Sequence, residues 1–376
     1  MIRNGTIYSC YSFLFFIIMN RSGSEELNNA HNSCGLPDIK SMYLEELEEF
    51  LTGMGEKKFH AKQLFRWMHH RLAGDIDEMS DLSKSLRSHL HSGTELTVLK
   101  KVKEQVSTDG TRKYLWELSD GNRIESVFMR YVYGNSVCIS SQAGCAMGCA
   151  FCASTIGGLE RNLTAAEMLE QVYRIQSDLG ERIDNVTIMG SGEPLMNLDN
   201  VYRFFKIINT PEGLNLSLRN ITVSTCGIVP QMKVLAAYKL PITLAVSLHA
   251  PDDEIRRKIM PVAKKYPMDE LLDTCAYYFK ETGRRISFEY ALMKGINDSE
   301  ECADRLAKKI KNLNCHVNLI NINPVEETKF KKTSENRLET FRKKLEKNLI
   351  NVTIRRVLGQ DIDGACGQLR RRFPLI

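Results

Sequence analysis

A chain of 376 residues with 43% hydrophobic and 26% charged residues is long enough for two domains, and its composition excludes a disordered or fibrous protein. Its net charge of +5 permits a polyanionic partner without demanding one. Eleven cysteines, odd in number and scattered, do not suit a secreted disulfide scaffold; they fit a reducing, cytosolic setting with metal-binding or catalytic thiols.

Residues 1–35 read as a leader. Tyr8 to Met19 is a dozen mostly apolar residues behind a single Arg3, too short for a spanning helix and without a small-residue cleavage site. We read it as an over-extended reading frame whose working start is Met19, and expect a cytoplasmic protein with no stable membrane partner. A polar Ser, Asn and Gly-rich lead-in follows, up to Gly35.

Residues 36–96 have helical spacing. Leu44, Leu47, Phe50 and Leu51 share one face; after the Gly53-Met54-Gly55 break, Leu64, Trp67, Met68 and Leu72 share another, and a third helix is expected from Leu82 to Leu90. Lys57, Lys58, Lys62 and Arg66 on the polar faces fit either a solvated surface or a nucleic-acid patch. Between 97 and 136 the period becomes two. Tyr114 to Leu118 and Ile124 to Phe128, separated by Asp120-Gly121, predict a small antiparallel sheet, on which Glu125 reads as an outward-facing carboxylate.

From 137 to 376, strands expected at Val137 to Ser140, Asn185 to Met189, Ile221 to Thr225, Ile242 to Leu248, Ile286 to Met293, Val317 to Asn321 and Val352 to Arg356 alternate with helices. The first helix is marked by the capping box Thr164-Ala-Ala-Glu167, with Leu163 and Met168 placed for a hydrophobic staple. Six or seven such units are too few for a closed eight-stranded barrel. The expected fold is therefore α/β, a partial, open β/α barrel with its chemistry on the loops after the strands.

The first of those loops carries Cys145-Ala-Met-Gly-Cys149-Ala-Phe-Cys152. Iron–sulfur clusters usually take four cysteines, so three leave an iron open to a small molecule; the alternative is a structural zinc with a fourth donor such as Cys138. The loop after the second strand, Gly190-Ser191-Gly192-Glu193-Pro194, offers close backbone approach and a carboxylate for an ammonium group. Ser224, Ser247-Leu248-His249 and Asn323 recur at later strand ends, where a nucleoside would be gripped, although each alone is common as an ordinary loop residue. Cys366, on a glycine-flanked loop, is a candidate nucleophile, whereas Cys138, inside a strand-like run, reads as core by default.

The run Cys138-Ile-Ser-Ser-Gln142-Ala-Gly-Cys145, the triplet, Gly192-Glu193-Pro194, Ser247-Leu-His249-Ala-Pro251 and the Cys366 loop together resemble the RlmN family of radical S-adenosylmethionine (SAM) adenine-C2 RNA methyltransferases. The likeness runs from about Leu36 to Leu369. It implies a radical SAM partial barrel with a helical N-terminal accessory domain, a 4Fe-4S cluster on Cys145, Cys149 and Cys152, and two SAM molecules per turnover. Gly192, Glu193, Ser224, Ser247, Leu248, His249 and Asn323 correspond to SAM contacts, and Glu125 to a proton acceptor. Cys366 corresponds to the thiol that is first methylated and then adds its methylene radical to adenine C2. Cys138 corresponds to the resolving thiol that leaves a Cys138–Cys366 disulfide, which reverses its default reading.

The implied substrates are an adenosine in the peptidyl-transferase region of 23S rRNA and the adenosine beside the anticodon of certain tRNAs, with an external electron donor such as flavodoxin or ferredoxin and a monomeric enzyme. Two rivals stand beside this reading: a Cfr-like enzyme that methylates adenine C8, disfavoured by Pro194 after Glu193, and a non-catalytic cysteine–metal RNA-binding module. One departure is Ser191, where the family usually has Met; SAM binding is expected to survive with only local packing changed.

Overall fold

The computed structural model describes residues 35–322, 328–363 and Leu369. Three helices come first, α1 (Leu44–Gly53), α2 (Lys58–His69) and α3 (Lys84–Gly93), and the spaced Leu47, Leu51, Leu64, Met68, Leu86 and Leu90 are all buried. This segment is tied to the rest of the chain by a buried cation: Lys40 Nζ lies 2.7 Å from both Glu170 Oε1 and the Thr97 carbonyl. Lys40 and Glu170 have fully buried side chains; Glu170 also pairs with Arg174 at 3.1 Å, so removing Glu170 would leave the Lys40 charge buried without its ion pair, whereas removing Lys40 would leave Glu170 its second cation.

The strands β1 (Lys100–Val106), β2 (Arg112–Glu117), β3 (Arg123–Tyr131) and β4 (Gly134–Ile139) form an antiparallel meander. The expected turn at Asp120-Gly121 joins β2 to β3; Gly121 has φ +84°, a conformation glycine adopts without strain. A short ribbon of β5 (Gln142–Gly144) and β6 (Leu159–Asn162) brackets the cysteine loop. Sequence periodicity gave no sign of it, because its strands are only three and four residues long.

Helix α4 (Ala165–Leu179) then begins at Thr164, whose hydroxyl accepts from Glu167 N at 3.2 Å while Glu167 Oε2 accepts from Thr164 N at 2.9 Å. This is the expected capping box, and such a cap contributes about 1 kcal/mol. The β/α alternation continues through β7 (Asn185–Ile188), α5 (Leu198–Ile208), β8 (Ile221–Thr225), α6 (Val229–Ala237), β9 (Thr243–Ser247), α7 (Asp253–Ile259), α8 (Met268–Thr282), β10 (Ile286–Leu292), α9 (Glu300–Ile310), β11 (Cys315–Asn321), α10 (Glu335–Lys347) and β12 (Val352–Ile354).

All but the ribbon join one ten-stranded sheet in the order β1-β2-β3-β4-β7-β8-β9-β10-β11-β12, parallel from β4 onward. β1 and β12 are its two edges, so the barrel is open, as expected. Alternation along the parallel strands sends Val137, Ile139, Val223, Val246, Phe288, Val317 and Leu319 into the helix-covered core. The intervening Thr187, Ser224, Ser247 and Asn318 are only half-buried and face the concave side. A barrel that keeps a polar, accessible lumen has room for a ligand where a closed one would be filled by side chains.

Candidate active site

The cysteine loop is held from three sides. Cys145 N donates to Gly158 O at 2.8 Å across the β5–β6 ribbon, Cys152 N to Cys149 O at 3.0 Å within the loop, and Ala150 N to Ile259 O at 2.9 Å at the end of α7. Gly144, at φ +83°, lies so close to the opposing chain that a Cβ there would sit 2.1 Å from Gly158 O. Cys145, Cys149 and Cys152 all line one cavity of about 290 Å³ together with Gly192, Glu193, Ser224, Ser247 and His249. Cys149, Cys152 and five residues at the ends of β7, β8 and β9 thus join Cys145 at one place.

Spacing of the three sulfurs tests the competing readings of the triplet. A tetrahedral zinc with 2.3 Å bonds holds its sulfurs about 3.8 Å apart. Among the described residues, the one group of three or more His, Cys, Asp or Glu whose ligand atoms all lie within 4.8 Å of one another is the exposed Asp75, Asp77 and His91. At least one pair of the cysteine sulfurs therefore lies further apart than the spacing a single bound zinc imposes. Cys138 is not among the cavity's lining residues. Burial pushes the Cys145 thiol up to about 11 and the Cys149 thiol further, with neighbouring thiols and Glu193 adding to the effect. Both become good ligands only when a cation takes the place of the proton.

The Glu193 loop is built around Gln142. Gln142 Oε1 accepts from Glu193 N at 2.8 Å, and its backbone N donates to Ser191 O at 3.1 Å. Gly192 has φ +109°, and a Cβ there would meet Gln142 Cβ at 2.6 Å, so only glycine fits. Glu193 is 3% exposed; its carboxylate accepts from Leu195 N at 3.1 Å and Cys226 N at 2.7 Å, while burial raises its pKa. A ligand cation would stabilise the ionised form. Ser191, also buried, pairs its hydroxyl with that of Ser154 at 3.2 Å, which satisfies the polar group standing where the family usually has Met.

His249 takes φ +53° at the turn after β9. Its Nδ1 accepts from Ala291 N at 3.0 Å, so Nε2 carries the proton and is the ring's remaining donor. Burial, then the Arg256 charge, pulls its pKa down to about 3, and the ring is neutral at working pH. Leu248 behaves differently from its neighbours: its side chain is in the hydrophobic core, and it can meet a ligand only through its backbone.

Glu125 is not the outward carboxylate that strand patterning suggested. It is 4% exposed on β3, with Oε2 3.0 Å from Lys113 Nζ of β2, a fully buried cation that also donates to the Asp363 carbonyl at 2.5 Å. Sequence periodicity failed here because β3 is buried on both faces at this point, where Ile124, Glu125 and Ser126 are all buried. Asp363 is further held by Gln105 at 2.9 Å, and Asp361 accepts from Thr108 N at 3.0 Å. The segment leading to Cys366 is thereby docked on the β1–β2 hairpin, beside Glu125. Cys366 and Asn323 themselves lie outside the described residues. Cys138 is buried on β4 between the core residues Val137 and Ile139 and is absent from their core cluster, on the concave face.

Sequence reasoning missed Glu289 and Arg355, which also line the cavity. Glu289 accepts from Asn318 Nδ2 at 2.9 Å, and its burial raises its pKa while Arg355 opposes the rise. The available signal was an acid in the middle of the apolar strand Ile286–Leu292.

The comparisons with known proteins fit this geometry. Residues 139–307 match the radical SAM superfamily, and residues 38–96 match the ribosomal RNA large subunit methyltransferase N-terminal domain. A probable dual-specificity RNA methyltransferase RlmN of Lachnospira eligens is 56% identical over 90% of this chain and 97% of its own. The chain belongs to the RlmN family. Another relative bearing that description, from Alkaliphilus oremlandii, is 54% identical over 89% of this chain and 98% of its own. A radical SAM methyltransferase from Sphaerobacter thermophilus, known from its crystal structure, superposes with a TM-score of 0.85 at 42% identity, covering 88% of this chain and 98% of that one. Membership in the RlmN family implies a 4Fe-4S cluster and SAM, and the three cysteines beside the Gly192–Glu193 loop suit both.

Proposed function

We propose that this RlmN-family chain is a dual-specificity RNA methyltransferase that places a methyl group on adenosine C2, in the peptidyl-transferase region of 23S rRNA and beside the anticodon of tRNA. The observation that carries this reading is the opening of three cysteines onto one cavity that Gly192, Glu193, Ser224, Ser247 and His249 also line.

Cys145, Cys149 and Cys152 would hold the cluster. Gly192 and Glu193 would receive the SAM ammonium group, and Ser224, Ser247, the Leu248 backbone, His249 and Asn323 its remaining polar atoms. When bound, the cluster supplies the electron that cleaves SAM reductively, and SAM supplies the methyl group. Cys366 accepts that methyl group on its sulfur and carries it to the base. Glu125 takes the proton from C2, with Lys113 beside it to stabilise the carboxylate. Cys138 then attacks the Cys366 sulfur, which frees the RNA and leaves a disulfide for reduction.

The helical segment 36–96 would serve as an RNA-binding accessory domain, together with the basic Arg370-Arg371-Arg372, which lies outside the described residues. Among the described residues no helix is long and apolar enough to cross a membrane. We assign the enzyme to the cytoplasm, as a monomer fed by a one-electron donor of the flavodoxin or ferredoxin class. Nucleoside analysis of rRNA and tRNA from cells with and without the protein tests the reading. 2-Methyladenosine that disappears with the protein supports it, whereas 8-methyladenosine or no change overturns it.

A further inference from the structure

Arg256, in the middle of α7, is completely buried. Its Nη2 donates to the Cys226 carbonyl at 2.7 Å and the Ser247 carbonyl at 3.4 Å, and its Nε to the Leu248 carbonyl at 3.3 Å. Those three carbonyls belong to the ends of β8 and β9, so one guanidinium clamps two of the strand ends that border the cavity. It also reaches Glu193 through a single residue: Arg256 holds the carbonyl of Cys226 and Glu193 its N–H, at 2.7 Å.

What the guanidinium lacks is an anion. A guanidinium in a protein is always charged, and a buried charge requires compensation. Among the described residues Arg256 Nη1 is buried without a hydrogen-bond partner, and Arg256 takes part in no ion pair. Asp253, a turn earlier on the same helix, is engaged with Met268 N at 3.0 Å. Burial disfavours the Arg256 charge, and the nearby Cys226, Cys149, Asp253 and Cys275 oppose that effect; Cys149 belongs to the triplet. The helix carrying Arg256 also abuts the triplet through Ala150 N and Ile259 O.

We propose that Arg256 is the fixed counter-charge of the iron–sulfur cluster and eases its reduction. This rests on the reading of Cys145, Cys149 and Cys152 as cluster ligands. A cluster held by three thiolates is anionic, and the electron it accepts from the external one-electron donor adds another negative charge. A desolvated cation stabilises the reduced form more than the oxidised one, so the midpoint potential rises. Arg256 is then a positioning residue for the strand ends and an electrostatic one for the cluster.

The test uses the full chain, reconstituted anaerobically, with Arg256→Gln and Arg256→Lys beside the wild type. Iron and sulfide content, circular dichroism and a reductive titration followed by electron paramagnetic resonance are measured. Arg256→Gln keeps an amide donor and loses the charge; Arg256→Lys keeps the charge and loses the fork. We expect Arg256→Gln to reduce at least tenfold less readily, a fall of about 59 mV for one electron, with Arg256→Lys near the wild type. Loss of iron from Arg256→Gln that Arg256→Lys restores would also support the proposal. An unshifted midpoint in loaded Arg256→Gln, or equal loss of potential or iron in both variants, overturns it. A wild-type protein that takes up no cluster would sink the reading of the cysteines, and the proposal with it.

Discussion

Lys113 Nζ lies 3.0 Å from Glu125 Oε2 with both side chains buried, and the same ammonium donates to the carbonyl of Asp363. One cation therefore joins two strands of the meander to the segment that leads into Cys366. We predict that Lys113→Met, which breaks the buried pair with Glu125 from one side, lowers stability by about 3–5 kcal/mol. Urea unfolding measures this. The double variant Lys113→Met/Glu125→Leu should recover much of the loss, because both charges of the pair are removed together.

At the opposite side of the site, Gly192 allows the Glu193 loop to approach Gln142. A methyl group there would meet Gln142 Cβ at 2.6 Å and force a residue with φ +109° into strain. Gly192→Ala should displace the Glu193 carboxylate while the sheet survives. We predict at least a tenfold loss of SAM affinity by equilibrium dialysis, with a near-normal far-ultraviolet circular dichroism spectrum.

The two thiols outside the triplet have separable roles under the proposed function. Cys366→Ala should abolish methyl transfer with iron content unchanged, which quantitative RNA methylation and iron assays check together. Cys138→Ala should trap a protein–RNA adduct, visible as a retarded, ribonuclease-sensitive band on a denaturing gel. A freely turning-over Cys138→Ala enzyme would remove the resolving role.

How legible all this was follows from period and length. The seven parallel strands stood out because Val and Ile runs alternate with capped helices such as the one beginning at Thr164, and β8 occupies the expected Ile221–Thr225. The cysteine loop and Gly192-Glu193 declared themselves by composition. Gln142, Glu289, Arg256 and Lys113 did not, since each acts through partners far away in the chain: Gln142 on Glu193, Arg256 on Cys226, Lys113 on Asp363. A polar residue in an apolar run shows that something must satisfy it, and only the fold shows what. Glu125 went further astray, because alternation assigns one strand face to solvent and here the chain covers both.

His249 gives a pH dependence whose sign is fixed by its burial. In the unfolded chain an imidazole takes up its proton near pH 6.5, whereas in the folded protein His249 resists until about 3. Between those values the unfolded chain binds more protons, so this histidine's contribution is complete above pH 6.5 and is lost as pH falls, by at most about 1.4 kcal/mol per unit. Buried carboxylates such as Glu193 and Glu289, whose pKa values are raised, act in the opposite sense and would mask the effect in the wild type alone. Comparison with His249→Asn cancels them, because an Asn amide oxygen can replace Nδ1 as acceptor for Ala291 N without titrating. Urea unfolding of both proteins at pH 7.5, 6.5 and 5.5 should show a stability difference that shifts in favour of the variant by about 0.4 kcal/mol between the first two and by about 1 kcal/mol more at the third. A difference that stays constant throughout would mean that His249 takes up its proton in the folded protein as readily as in the unfolded chain, and that burial does not hold the ring neutral.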